Sequence, residues 1–73
     1  MASKIYSNDH ESTISQLRKA RHEAKLTQAK VAEMMGVTQS YISKIESGQT
    51  RIDVMSLKEF SRVYNKKISW FLK

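Results

Sequence analysis

Few side chains here could do acid–base, nucleophilic or metal chemistry, and they stand apart. The two histidines, His10 and His22, have no neighbour that suits them for general-base or metal work. There is no cysteine, so no thiolate nucleophile, disulfide or cysteine metal site exists. The carboxylates of Glu23, Glu33 and Glu59 are scattered, and no glycine-rich phosphate loop is present. These absences argue against an enzyme and imply neither cofactor nor metal. The chemistry that is concentrated is hydrogen bonding. Thr38, Gln39 and Ser40 open a nearly uncharged stretch that continues through Ser43 and Lys44. Side chains of this kind suit the floor of the DNA major groove, where base edges offer donors and acceptors.

The elements that must position these residues follow from caps and periodicity. Thr27 caps a helix whose inner face is Val31, Ala32 and Met35. Gly36 supplies the left-handed residue that ends it, and Val37 enters the core. Thr38 caps the next helix, where Ile42 and Ile45 point inward with Tyr41 beside them. Gln39, Ser40, Ser43 and Lys44 are left on the outward face. Ala32 is small enough for the two helices to cross closely. This hairpin spans about residues 27–46. A preceding helix starts at Ser12 or Thr13, carries Ile14, Leu17, Ala20, Arg21 and Ala24 on one face, and closes at Lys25-Leu26. Asp53 caps a fourth helix with Val54, Leu57, Phe60 and Tyr64 inside, and Asn65 suits a left-handed exit. In the final apolar segment, Trp70 and Leu72 are assigned to the core. Ile68 and Phe71 are assigned to contact with a second subunit.

Length and charge bound the rest. A chain of 73 residues holds one domain, too small for a deep catalytic cleft. With no proline and two glycines, the composition favours compact helices. No apolar run reaches the roughly 18 residues that span a bilayer, and the expected location is the cytoplasm. The net charge is +6, in the direction expected of a nucleic-acid-binding domain. Residues 1–11 hold Lys4 against Asp9 and Glu11, a net of −1, and the remainder holds +7. The stretch 1–11 therefore reads as a flexible polar tail rather than a cationic arm, although Ile5 and Tyr6 could dock. The domain runs from 12 to 73.

Gln28, Ala32, Gly36, Val37, Ile42 and Ile45, followed by Glu46 and Gly48, resemble the helix-turn-helix of the phage-repressor/Cro-like (XRE) family. The resemblance extends from about Ile14 to Leu72, through Leu26–Gln28, Ile45–Arg51 and the terminal ISWFL. It implies an all-α, lambda-repressor-like bundle of about five short helices that binds DNA, usually as a dimer. It also implies residue roles. Gln28 matches the glutamine whose amide holds a DNA phosphate, aided by the positive helix amino terminus. Thr38, Gln39, Ser40, Ser43 and Lys44 fall where base edges are met. Glutamine suits adenine and lysine the acceptors of guanine. Gln49, Thr50 and Arg51 match the backbone-gripping loop, Lys30 extends that footprint, and Tyr41 is assigned a phosphate. Arg21 matches the arginine that pairs with Glu46. Two residues depart from the pattern: Ile52 stands where many relatives have proline, and Lys66 where an apolar residue is common.

The function these readings imply is sequence-specific transcriptional regulation on double-stranded DNA, with a homodimer on a palindromic operator. Two alternatives stay open. One is an antitoxin-type autorepressor with a protein partner. The other is a protein-interaction module that reuses the fold, for which salt-insensitive function and no affinity for duplex DNA are expected.

Overall fold

Side-chain caps start three of the helices, and one closure ends four of them. The computed structural model describes the backbone of residues 2–72 and the side chains of residues 10–72. It contains α1 (Ala2–Glu23), α2 (Gln28–Met35), α3 (Gln39–Glu46), α4 (Val54–Val63) and α5 (Ile68–Phe71), with no strand among the described residues. Thr27, Thr38 and Asp53 are extended residues whose side chains accept the backbone N–H three positions on, at Lys30, Tyr41 and Ser56. These bonds satisfy amides that have no partner inside the helix.

The four longer helices end alike. After α1, Leu26 N–H donates to Arg21 O and Lys25 N–H to His22 O. The same pair of bonds recurs at Val37–Ala32 and Gly36–Glu33, at Gln49–Lys44 and Gly48–Ile45, and at Lys66–Ser61 and Asn65–Arg62. This is the Schellman closure, which places one residue in the left-handed region. Lys25 (φ 59°), Gly36 (71°), Gly48 (82°) and Asn65 (56°) hold those four positions.

The all-helical bundle agrees with the sequence expectation, but α1 is longer than the expected short helix. It begins at Ala2 rather than at a cap at Ser12 or Thr13, so the stretch read as a tail has a helical backbone from residue 2. Thr13 is buried on the inner face instead of capping. Neither proline nor glycine lies between residues 2 and 23, and a nucleated helix propagates until something stops it. Docking of Ile5 and Tyr6 lies outside the described side chains.

The core gathers Ile14, Leu17 and Ala20 of α1, Val31 and Ala32 of α2, Ile42 and Ile45 of α3, Leu57 and Phe60 of α4, Tyr64, and Phe71 of α5. Two assignments in the last segment are corrected. Phe71 is fully buried rather than free for a second subunit, and Leu72 is 61% exposed rather than core. Ile68 and Phe71 are three apart and share the inward face, whereas Leu72 has left the helical path at φ −101°. Phe71 meets the Trp70 ring edge-on and lies tilted beside Tyr64. Ile68 and Trp70 are half-buried against the same cluster. Gln16 Nε2 donates to Trp70 O at 2.9 Å, tying α1 to α5. Lys66, one of the two departures, sits 4.5 Å from the Trp70 ring centroid and 3.2 Å from Glu23.

Candidate nucleic-acid interface

Helix α3 is divided sharply between its two faces. Ile42 and Ile45 are fully buried, anchoring it against α1 and α2. Gln39, Ser40, Ser43 and Lys44 are exposed. Among the described residues, none of these four side chains has a hydrogen-bond or ion-pair partner. Four adjacent polar side chains are thus held on a rigid, core-anchored helix with their bonding capacity unspent. Thr38 differs, because its hydroxyl oxygen accepts from Tyr41 N–H at 3.1 Å. Ala32, at the crossing with α2, is buried, and Val37 packs half-buried against the core.

The carboxyl end of α3 is fixed by a buried polar cluster. Arg21 Nε donates to Glu46 Oε2 at 2.8 Å, and Arg21 Nη2 donates to Glu46 Oε1 at 3.1 Å. Glu46 is only 3% exposed, so this two-pronged pair lies where water screens it little. The hydrogen bond to Glu46 raises the Arg21 pKa, against the opposing effect of burial, and keeps the guanidinium charged. Arg21 Nη1 also donates to Leu26 O at 3.0 Å, so one side chain ties the turn after α1 to the end of α3. Arg18, one turn earlier on α1, donates through Nη1 to the Glu46 carbonyl oxygen. Sequence reasoning missed Arg18. Its spacing of three from Arg21 was the available signal.

Several residues assigned to phosphates have partners within the protein. Gln28 Nε2 donates to Glu46 Oε1 at 3.1 Å, which engages one of the two N–H bonds of its amide. The Tyr41 hydroxyl lies 2.8 Å from Ser56 Oγ, half-buried between α3 and α4. Tyr41 therefore links α3 to α4, and a phosphate at this position would share its hydroxyl with Ser56. Lys30 is exposed, with Nζ 3.4 Å from Glu33 across one turn of α2, a pairing of small worth at the surface. Gln49, Thr50 and Arg51 are exposed in the loop that leaves α3. Gln28, Lys30 and this loop are therefore arranged around the two ends of the α2–α3 hairpin.

No cluster of three or more potential metal ligands occurs among the described residues, and no described helix is long and apolar enough to cross a membrane. A bundle whose second and third helices meet through a left-handed glycine, with the polar face of the third turned outward, is a helix-turn-helix module. A model of the Helix-turn-helix family matches residues 17–71, three-quarters of the 73-residue chain. No curated protein and no solved structure matches it. The chain belongs to the helix-turn-helix family of Cro/repressor-like DNA-binding transcriptional regulators.

Proposed function

We propose that the chain is a sequence-specific regulator that binds a palindromic operator as a homodimer, with α3 in the major groove. The observation that carries this reading is the uncommitted outward face of α3. Gln39 and Lys44 have the chemistry for direct readout, glutamine for adenine and lysine for guanine, with Thr38, Ser40 and Ser43 beside them. Gln28, Lys30, Gln49, Thr50 and Arg51 position the module on the backbone, which fixes register without reading sequence. Val54, Met55 and Leu72 are 69%, 70% and 61% exposed, Val54 contrary to its expected place on the inner stripe of α4, and Val54 and Leu72 line one open groove with Leu57. With Phe71 buried, a second copy of the chain would meet this surface together with the open part of Ile68.

Selection of bound duplexes from a random pool tests the proposal. Enrichment of an inverted repeat with half-sites about one helical turn apart, roughly 34 Å, is the expected result. Recovery of no preferred sequence would overturn sequence-specific regulation and favour the protein-interaction alternative. Gln39→Ala should relax preference at one base step.

A further inference from the structure

We propose that Glu46 is a positioning residue for DNA binding: its carboxylate sets which end of the Gln28 amide is presented as a hydrogen-bond donor. The inference rests on the reading of Gln28 as a phosphate contact and adds what orients it. An amide side chain ends in a carbonyl oxygen and an NH2 group of nearly equal size, and an unrestrained one samples both flips. A phosphate oxygen only accepts, so only the NH2 end serves.

In this chain the choice is made by a fixed anion. Glu46 cannot swing aside, because Arg21 grips both of its oxygens at 2.8 and 3.1 Å in a site where Glu46 is 3% exposed. Gln28 Nε2 donates to the Oε1 atom at 3.1 Å. Flipping the amide would bring its carbonyl oxygen against a carboxylate oxygen, two acceptors facing each other without a proton. The second N–H of Nε2 stays available. Gln28 is the first residue of α2, an eight-residue helix; Thr27 takes the Lys30 amide, and the backbone amides of Gln28 and Ala29 have no partner within the helix. A phosphate at this end would meet the oriented side-chain N–H together with those amides and the positive end of the helix. Arg21 neutralises Glu46, so the acid can orient Gln28 without presenting a bare negative charge to the DNA.

A double-mutant cycle on duplex affinity, using Glu46→Gln and Gln28→Ala with thermal melts of each variant, tests the proposal. Glu46→Gln keeps the size of the side chain but can both donate and accept, so it no longer selects one flip. With both flips equally populated only half of the amides present the donor, so binding should weaken by about twofold per protomer and about fourfold for a dimer. The same loss should appear on operator and unrelated duplex, as for any phosphate contact. In the Gln28→Ala background, Glu46→Gln should weaken binding no further, although it still lowers the melting temperature. Equal losses in both backgrounds would show that Glu46 acts only through the fold, and would overturn the proposal. If Gln28→Ala alone leaves affinity unchanged, the phosphate contact itself is refuted and Glu46 has nothing to position. The wild-type protein supplies an independent measurement. One Gln28 side-chain amide proton should exchange slowly in the free protein, while the other shifts on adding duplex. Two fast-exchanging amide protons in the free protein would overturn the proposal even if no Glu46 variant folds.

Discussion

Tyr64 shows what a single buried hydroxyl does in a core this small. Its ring stacks on Phe60 with centroids 5.9 Å apart, yet its buried hydroxyl has no hydrogen-bond partner among the described residues. Burial raises the phenol's pKa, and the negative charge of Glu46 raises it further, outweighing the opposite pull of Arg21. Burying an unsatisfied hydroxyl costs about 1–3 kcal/mol. Tyr64→Phe keeps the ring and should stabilise the domain by about 1 kcal/mol in chemical denaturation, within that range. A raised pKa favours the neutral phenol, so folding stability linked to this group is present below the ordinary tyrosine value of about 10 and falls as pH rises above it. The advantage of Tyr64→Phe should therefore widen in alkali. Equal or lower stability of the variant would mean that the hydroxyl has a favourable role. The sequence places Tyr64 on the inner stripe of α4, but nothing in a periodicity shows that its oxygen lacks a partner. Gln28 and Tyr41 teach the same lesson. Residue type shows that each can donate a hydrogen bond, while Glu46 and Ser56, the partners they meet, lie 18 and 15 residues away along the chain.

At the scale of the helices, punctuation residues made most of the architecture readable. Thr27, Thr38 and Asp53 announce starts, and Gly36 and Asn65 announce exits, because each has a specific backbone or side-chain reason for its place. The start of α1 was not readable because no breaker or cap marks it. Lys25 gives no hint in its side chain that it will turn left-handed, and the Phe71–Leu72 inversion depends on where a four-residue helix stops. The recurrent Schellman closure makes two opposed substitutions informative. A Cβ on Gly36 would meet nothing within 4 Å, so Gly36→Ala isolates the left-handed backbone penalty, about 1–2 kcal/mol. Lys25→Gly removes a similar strain and should stabilise by less, since the glycine also loosens the unfolded chain. Thermal or denaturant melts of the two variants should move in opposite directions; a shift of the same sign would rule out the shared mechanism. The cap of α4 gives a pH signature. Hydrogen bonds from Ser56 hold the Asp53 pKa below its ordinary value. A depressed carboxylate contributes stability above its unfolded pKa and loses it as pH falls through the folded one. Asp53→Asn retains an acceptor oxygen without the titration. Its deficit relative to the wild type should therefore shrink in acid, and a constant difference across that range would show that the charge is not involved.

For the whole molecule, charge decides between a DNA-binding regulator and a protein-interaction module, and it also counts subunits. The +7 carried by residues 12–73 raises local attraction to DNA, but only cations seated on phosphates release counterions. The proposed footprint has two such cations per protomer, Lys30 and Arg51, and the neutral Gln28, Gln49 and Thr50. A homodimer then neutralises about four phosphates, and log affinity against log salt should have a slope of about −3.6. Affinity should fall by about two orders of magnitude between about 50 and 200 mM salt. A monomer with the same footprint gives about half that slope, and an interface that never meets DNA gives none. Two variants separate the contributions. Arg51→Ala should flatten the dimer slope by about 1.8, since it removes one cation from each protomer. Gln28→Ala should lower affinity at every salt concentration and leave the slope unchanged, because a neutral amide displaces no counterion. A titration of binding against salt for these three proteins therefore reads stoichiometry and contact chemistry together. Slopes that ignore Arg51 would remove the α3–α4 loop from the interface, while leaving the outward face of α3 to be tested by base preference.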